Sequence, residues 1–143
     1  MSCQNKLRTL IADNFVVYFK SHVYHLNVVG PDFHQYHSLL NEIYDSLYEW
    51  HDTLNEQLRQ MDEMCDTSLK DYADETNFSL INKAKTGKDM FADLTEALET
   101  IVAESQILYD EAGIEGHGAL ETCIGDYMMD VNKLHWKVKS CLA

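Results

Sequence analysis

Four side chains carry the chemistry this chain could do. His25 and His37 stand twelve residues apart on either side of Gly30-Pro31-Asp32, and Asp52 and Glu56 follow, four apart. Imidazole and carboxylate together suit a hard-to-borderline divalent metal of the iron type, and no thiolate is placed to compete. Their separation is the informative part. If His37 and Asp52 lie on one continuous helix, fifteen residues at 1.5 Å each hold them roughly 22 Å apart. No single ion spans that distance. The spacing predicts two half-sites that become one only when a symmetric partner brings its own Asp52 and Glu56 to His25 and His37.

The elements that must position these groups are legible from apolar periodicity, which is helical nearly throughout. A first helix is predicted from about Asn5 to Val28, with Leu7, Ile11, Phe15, Tyr18, Phe19, His22 and Leu26 at three- and four-residue steps. Gly30-Pro31 ends it. Asp32, with Gln35 three residues on, reads as an N-cap and capping box. The second helix runs from about Phe33 to Met64, with Leu40, Ile43, Leu47, Trp50, Leu54, Leu58 and Met61 on one face. Asp66-Thr67-Ser68 breaks the pattern, and 68–77 reads as a short helix inside a crossover. A third long helix over about 87–110 and a last one over about 119–141 follow, with Gly113, Gly116 and Gly118 between them. The expected fold is all-α: a single domain over 1–143, a ferritin-like four-helix bundle with a short extra helix in the crossover between helices two and three.

Composition narrows the partners. Across 143 residues, 24 acidic side chains against 11 basic ones leave a net charge of −13. Polyanion binding rests on Lys and Arg neutralising phosphates, so nucleic acid is a poor partner and small cations a good one. No stretch is apolar for long enough to span a bilayer. The opening segment, MSCQNKLRTLIADNF, lacks the apolar core of an export signal, so the expected location is a reducing cytoplasm. Cys3, Cys65, Cys123 and Cys141 lack zinc-ribbon or CxxC spacing and read as free thiols filling space.

Each ligand candidate has a plainer reading: a histidine at a helix end is commonly solvated, and two acids at i,i+4 commonly lie on a wet face. Here Trp50 and Leu54 flank Asp52, and Asp45, Glu49, Asp52 and Glu56 form a stripe at helical steps. Like charges one turn apart cost a few tenths of a kcal/mol each, about 0.2–0.5, which a bound cation would offset.

Taken together the residues are more specific. His25-Leu26-Asn27-Val28-Val29-Gly30-Pro31-Asp32-Phe33, then Tyr36-His37, then Asp52-x-x-x-Glu56 resembles the signature of the Dps mini-ferritins, which show His-Trp-Asn-Val-x-Gly-x-x-Phe, a second His twelve on, and Asp-x-x-x-Glu fifteen beyond that. Ser68-Leu69-Lys70-Asp71-Tyr72 is similar to that family's crossover helix, and Lys133-Leu134-His135-Trp136-Lys137 to its last-helix segment.

The resemblance implies a subunit that assembles as a homo-oligomer, a hollow dodecamer with ferroxidase centres at two-fold interfaces. It implies that His25, His37, Asp52 and Glu56 are both the iron ligands and the catalytic residues. It further implies that Fe(II) is oxidised, with hydrogen peroxide as oxidant, and that ferric mineral is stored within the shell, protecting against oxidative damage. DNA association in such proteins uses a Lys-rich tail. This chain has only Lys6 and Arg8 near its start and Lys137 and Lys139 near its end, so direct DNA binding is expected to be weak or absent.

Two departures bear on the centre. The family has an Asp four residues after the second His where this chain has Asn41, which supplies an oxygen without charge; Glu42 and Asp45 are nearby acids. Leu26 replaces the Trp beside the first His. Among the remaining candidates, His22 and His34 read as neighbours of the ligands, His51 as a surface group, and His117 and His135 as lacking motif support. Tyr36, Tyr44, Tyr48 and Trp50 fit core packing better than electron transfer. Glu115, Glu121 and Asp126 are candidates for lining a pore. The competing readings are a non-enzymatic cage or DNA-protecting particle whose centre Asn41 has weakened, and a generic four-helix adaptor.

Overall fold

The computed structural model describes residues 2–143. Four long helices and one short one account for it: α1 (Cys3–Asn27), α2 (Phe33–Gln60), α3 (Leu69–Glu75), α4 (Gly87–Ile114) and α5 (Gly118–Ser140). There is no strand among the described residues, and no helix among them is long and apolar enough to cross a membrane. The all-α ferritin-like architecture read from periodicity is the architecture observed.

Short connections make α1–α2 and α4–α5 antiparallel hairpins, as few-residue helix links do. The long link over 61–86 travels the length of α1. Arg8 holds its start through Asp66 and the Met64 carbonyl, Asp13 holds its middle through the Asn77 backbone N–H at 2.7 Å, and Lys20 lies over the Phe78 ring. The link delivers Gly87 beside Tyr36 and Val28, so α4 starts at the end of the bundle where α2 starts, and those two helices run parallel. The core between the pairs is apolar and mostly aliphatic, with Leu7, Ile11, Leu40, Ile43, Leu47, Leu54, Phe91, Leu94, Leu98, Ile101 and Ile124 buried. One polar thread crosses it. The buried Tyr127 hydroxyl donates to Asn14 Oδ1 at 2.8 Å, and Asn14 Nδ2 donates to the Leu47 carbonyl at 2.9 Å, so neither group is buried unpaired.

The element ends differ from the sequence reading, each for a local reason. α1 begins at Cys3 because Ser2 caps it, accepting from the Asn5 N–H. α2 stops at Gln60 rather than Met64: Asp62 adopts φ 64°, a left-handed conformation that no helix continues through. α4 continues to Ile114, a turn beyond Asp110. The capping box expected at Asp32 does not form. Asp32 sits at φ −98°, ψ 16°, not in the extended conformation that aims a cap side chain at the first turn, and its carboxylate makes no cap bond. The box occurs instead at Ser68, whose hydroxyl accepts from Asp71 N–H while the Asp71 carboxylate accepts from Ser68 N–H.

Candidate metal centre

The hairpin turn brings His25, in the last turn of α1, against His37, in the second turn of α2. Their rings stack at 3.7 Å, with planes 16° apart. Each Nδ1 lies 2.8 Å from the other residue's backbone carbonyl. A carbonyl can only accept, so each Nδ1 carries the hydrogen, and in neutral rings each Nε2 keeps its lone pair. The His25 carbonyl, among the last of α1, has no following helical turn to supply a donor, and the His37 ring supplies one. A ligating histidine is usually held in this way, with one ring nitrogen donating to a fixed oxygen and the other presented to the ion. Phe33 stacks on His37 at 4.8 Å, and Tyr44 sets its ring edge-on to His25 at 5.1 Å.

Asp52 and Glu56 are exposed, one turn apart on α2. The neighbouring Asp52 carboxylate, which accepts a hydrogen bond from the protonated form of Glu56 and repels its charged form, shifts the Glu56 pKa upward. The two carboxylates are therefore close enough to act on each other, and a cation could sit between them. α2 is unbroken from Phe33 to Gln60, so the acid pair remains roughly 22 Å along it from His37. The fold brings histidine to histidine and acid to acid; within one chain it does not bring the pairs together.

Asn41 donates from Nδ2 to Asp45 at 2.8 Å, and its Oδ1 accepts from the Tyr44 hydroxyl at 2.9 Å. The amide oxygen is thus already engaged, and the nearest charge on that face belongs to Asp45. His22 stacks on Tyr44 at 4.1 Å, adjoining the pair through an aromatic ring, and His34 is exposed. His51 is not the surface group expected. It is half-buried against Phe15 and Tyr72, and burial lowers its pKa while Asp52 opposes the shift. Its position around α2 alone suggested exposure; α3 folding over it decides otherwise. Tyr48, expected in the core, is 62% exposed, while Tyr36 stacks on Phe91 and Trp50 donates to Asp130. His135 pairs with Glu99.

Sequence reasoning missed the feature that lies between the half-sites. Phe15, Phe19, Leu69, Tyr72 and Leu80 line an open apolar groove of about 440 Å³ along α1 and α3. Phe15 and Phe19 lead at helical steps to His22 and the histidine pair. At the groove's other side, Phe15 and Tyr72 touch His51, the neighbour of Asp52. Phe19, Leu69 and Leu80 are each more than half exposed. The half-exposed Phe19 at the edge of the apolar pattern of α1 was the available signal.

A family model described as a ferritin-like domain matches residues 4–143. Antigen TpF1 of Treponema pallidum (strain Nichols) is 30% identical over 145 residues, spanning 96% of this chain and 78% of that protein. The DNA protection during starvation protein of Helicobacter pylori is 28% identical over 138 residues, spanning 96% of each. Among solved structures, the Dps protein of Vibrio cholerae O1, described as a member of a broad superfamily of ferritin-like diiron-carboxylate proteins, superposes with a TM-score of 0.94 at 23% identity, covering 99% of this chain and 89% of that one.

Proposed function

The chain belongs to the ferritin-like family as a Dps-like mini-ferritin, and from that premise we propose that it oxidises Fe(II) at centres shared between subunits and stores the ferric product inside a closed shell of its own copies. The observation that carries this reading is the placement of two incomplete half-sites on either side of one exposed apolar groove. An exposed apolar patch of this kind favours a partner. A two-fold partner seated on it meets the same patch in reverse, so each histidine pair faces the partner's acid pair.

Iron is the substrate. The Nε2 atoms of His25 and His37 and the carboxylates of Asp52 and Glu56 from the partner subunit would hold Fe(II). The imidazoles are fixed beforehand by their Nδ1 bonds, so little side-chain entropy remains to be lost on binding. The carboxylates stabilise the greater charge of Fe(III) as it forms. Two ferrous ions give up one electron each. One hydrogen peroxide accepts both, its O–O bond breaks, and with two protons it leaves as water. Hydrolysis of the ferric ions to oxyhydroxide releases protons to solvent, and the mineral collects within the shell. Storage of this kind withdraws both reagents of hydroxyl-radical chemistry, which accounts for a protective role.

The Asn41 contacts favour a second reading, a cage that sequesters iron without oxidising it quickly, because the amide carries no charge and its oxygen already accepts from Tyr44. Stopped-flow oxidation of Fe(II) by peroxide separates the two. The ferroxidase reading predicts a fast phase in the native protein that drops by about 10²-fold or more in His37→Ala and Asp52→Ala, as loss of a group that holds the reactants in place does. Equal rates for all three leave the cage.

A further inference from the structure

At the opposite end of α1 from the histidine pair, we infer that Cys3, Glu115 and His117 form a second divalent-cation site, of the zinc class, which ties the first turn of α1 to the turn between α4 and α5. The ligand atoms of all three residues lie within 4.8 Å of one another, although Cys3 is 112 residues from Glu115 in the chain. Cys3 Sγ is buried and donates to Glu115 Oε2 at 3.0 Å. The His117 side chain precedes α5, makes no capping bond and has no hydrogen-bond partner among the described residues.

The donor set selects the ion. One thiolate, one imidazole and one carboxylate match zinc, whose bonds of about 2.0–2.3 Å place tetrahedral ligand atoms roughly 3.3–3.8 Å apart. Cys3 and Glu115 are already in contact, and the widest separation in the cluster, up to 4.8 Å, needs to close by about 1 Å, within reach of His117, which lies in the loop before α5. Glu111, one turn before Glu115, is engaged by Lys6, which leaves the fourth position to water. Helix rise puts Cys3 roughly 33 Å from His25, so this site is independent of the iron centre. Sulfur in the set also biases it away from the oxygen-preferring ions that an acidic surface collects.

Binding replaces the Cys3 S–H bond with an S–metal bond and releases the proton to solvent. Without an ion, burial, the Glu115 hydrogen bond and its charge hold the thiol at about 12, so it stays neutral. A cation between the same groups stabilises the thiolate instead.

The test uses Co(II) as a coloured stand-in for zinc, on the assembled full-length protein carrying Cys65→Ser, Cys123→Ser and Cys141→Ser, so that Cys3 is its one thiol, and Asp52→Ala to silence the iron centre. The site predicts one tightly held cobalt per chain with a thiolate-to-cobalt charge-transfer band that added zinc bleaches. His117→Ala and Glu115→Gln, on an exposed turn, lower cobalt affinity at least about tenfold, as loss of a supporting group does, and Cys3→Ser abolishes the band. Absence of the thiolate band, or a band that His117→Ala and Glu115→Gln leave unchanged, overturns the inference. Since those two variants do not disturb the core, a Cys3→Ser protein that fails to fold does not rescue it.

Discussion

At the scale of single residues, the centre depends on which nitrogen of each histidine carries the hydrogen. The reciprocal Nδ1-to-carbonyl bonds of His25 and His37 leave the Nε2 lone pairs free before any metal arrives. What the side chains leave incomplete is negative charge on the histidine side, because Asn41 stands where a carboxylate would serve and its oxygen already accepts from Tyr44. Asn41→Asp should therefore raise the amount or affinity of Fe(II) bound per centre, with affinity higher by about tenfold or more, as hydrogen-bonded charge contributes about 1.5–3 kcal/mol. Anaerobic calorimetric titration with Fe(II) reads this directly; an unchanged isotherm means that Asp45 already supplies the missing charge. The ligand candidates themselves were legible from spacing, since a twelve-residue interval around a Gly-Pro turn leaves few other places for two histidines. Their tautomers were not, because they depend on two backbone carbonyls that only the folded hairpin brings within reach.

At the scale of elements, the start of α4 is packed against the hairpin that carries the centre. A Cβ at Gly87 would come within 2.6 Å of the Tyr36 ring, which is stacked on Phe91 at 4.1 Å and cannot easily yield. Gly87→Ala should destabilise the protein by about 1–3 kcal/mol, seen as a lower midpoint in denaturant unfolding, and should disturb His37 through its neighbour Tyr36. Where α1, α4 and the crossover meet, Asp13 is buried and accepts from Thr76 and Asn77, with Glu104 beside it. Burial, then the Asp13 hydrogen bond and charge, raise Glu104 to about 8 from an ordinary 4.5. The folded chain holds this proton more tightly than the unfolded chain, so the stabilisation is complete below about 4.5 and is lost as pH rises to about 8. Thermal unfolding followed by circular dichroism should show the native protein losing stability across that window while Glu104→Gln changes less; parallel profiles would contradict the proton held on Glu104. Periodicity revealed the four long helices, because apolar residues at three- and four-residue steps record which face is buried, while the short α3, which buries no residue, was read from the break before it. It could not reveal the Asp32 backbone angles, the burial of His51 under α3, or Cys3 meeting Glu115, since each depends on segments distant in sequence arriving at one place.

At the scale of the whole molecule, charge and apolar surface act in different directions. A net charge of −13 on each chain attracts cations and repels DNA. A gel-shift at low salt without added divalent metal should show no complex, and tight retardation would contradict the charge argument. The apolar groove along α1 and α3 is the surface that, on the proposed reading, would draw such acidic subunits together. The separation of the histidine pair from the acid pair was legible in the chain from helix rise alone; the exposed apolar groove was not, because Phe19, Leu69 and Leu80 come from separate elements.

The central claim is that neighbouring copies complete each other's centre, and mixed shells test it most directly. His37→Ala and Asp52→Ala subunits, each inactive as a pure assembly, are unfolded together in equal amounts and reassembled. If one subunit supplies the histidines and its two-fold mate the acids, half of the random pairs are mixed and each mixed pair regains one of its two centres, so about a quarter of native peroxide-dependent Fe(II) oxidation returns. Mixed shells as inactive as their parents would mean that the histidines and acids of different chains do not meet.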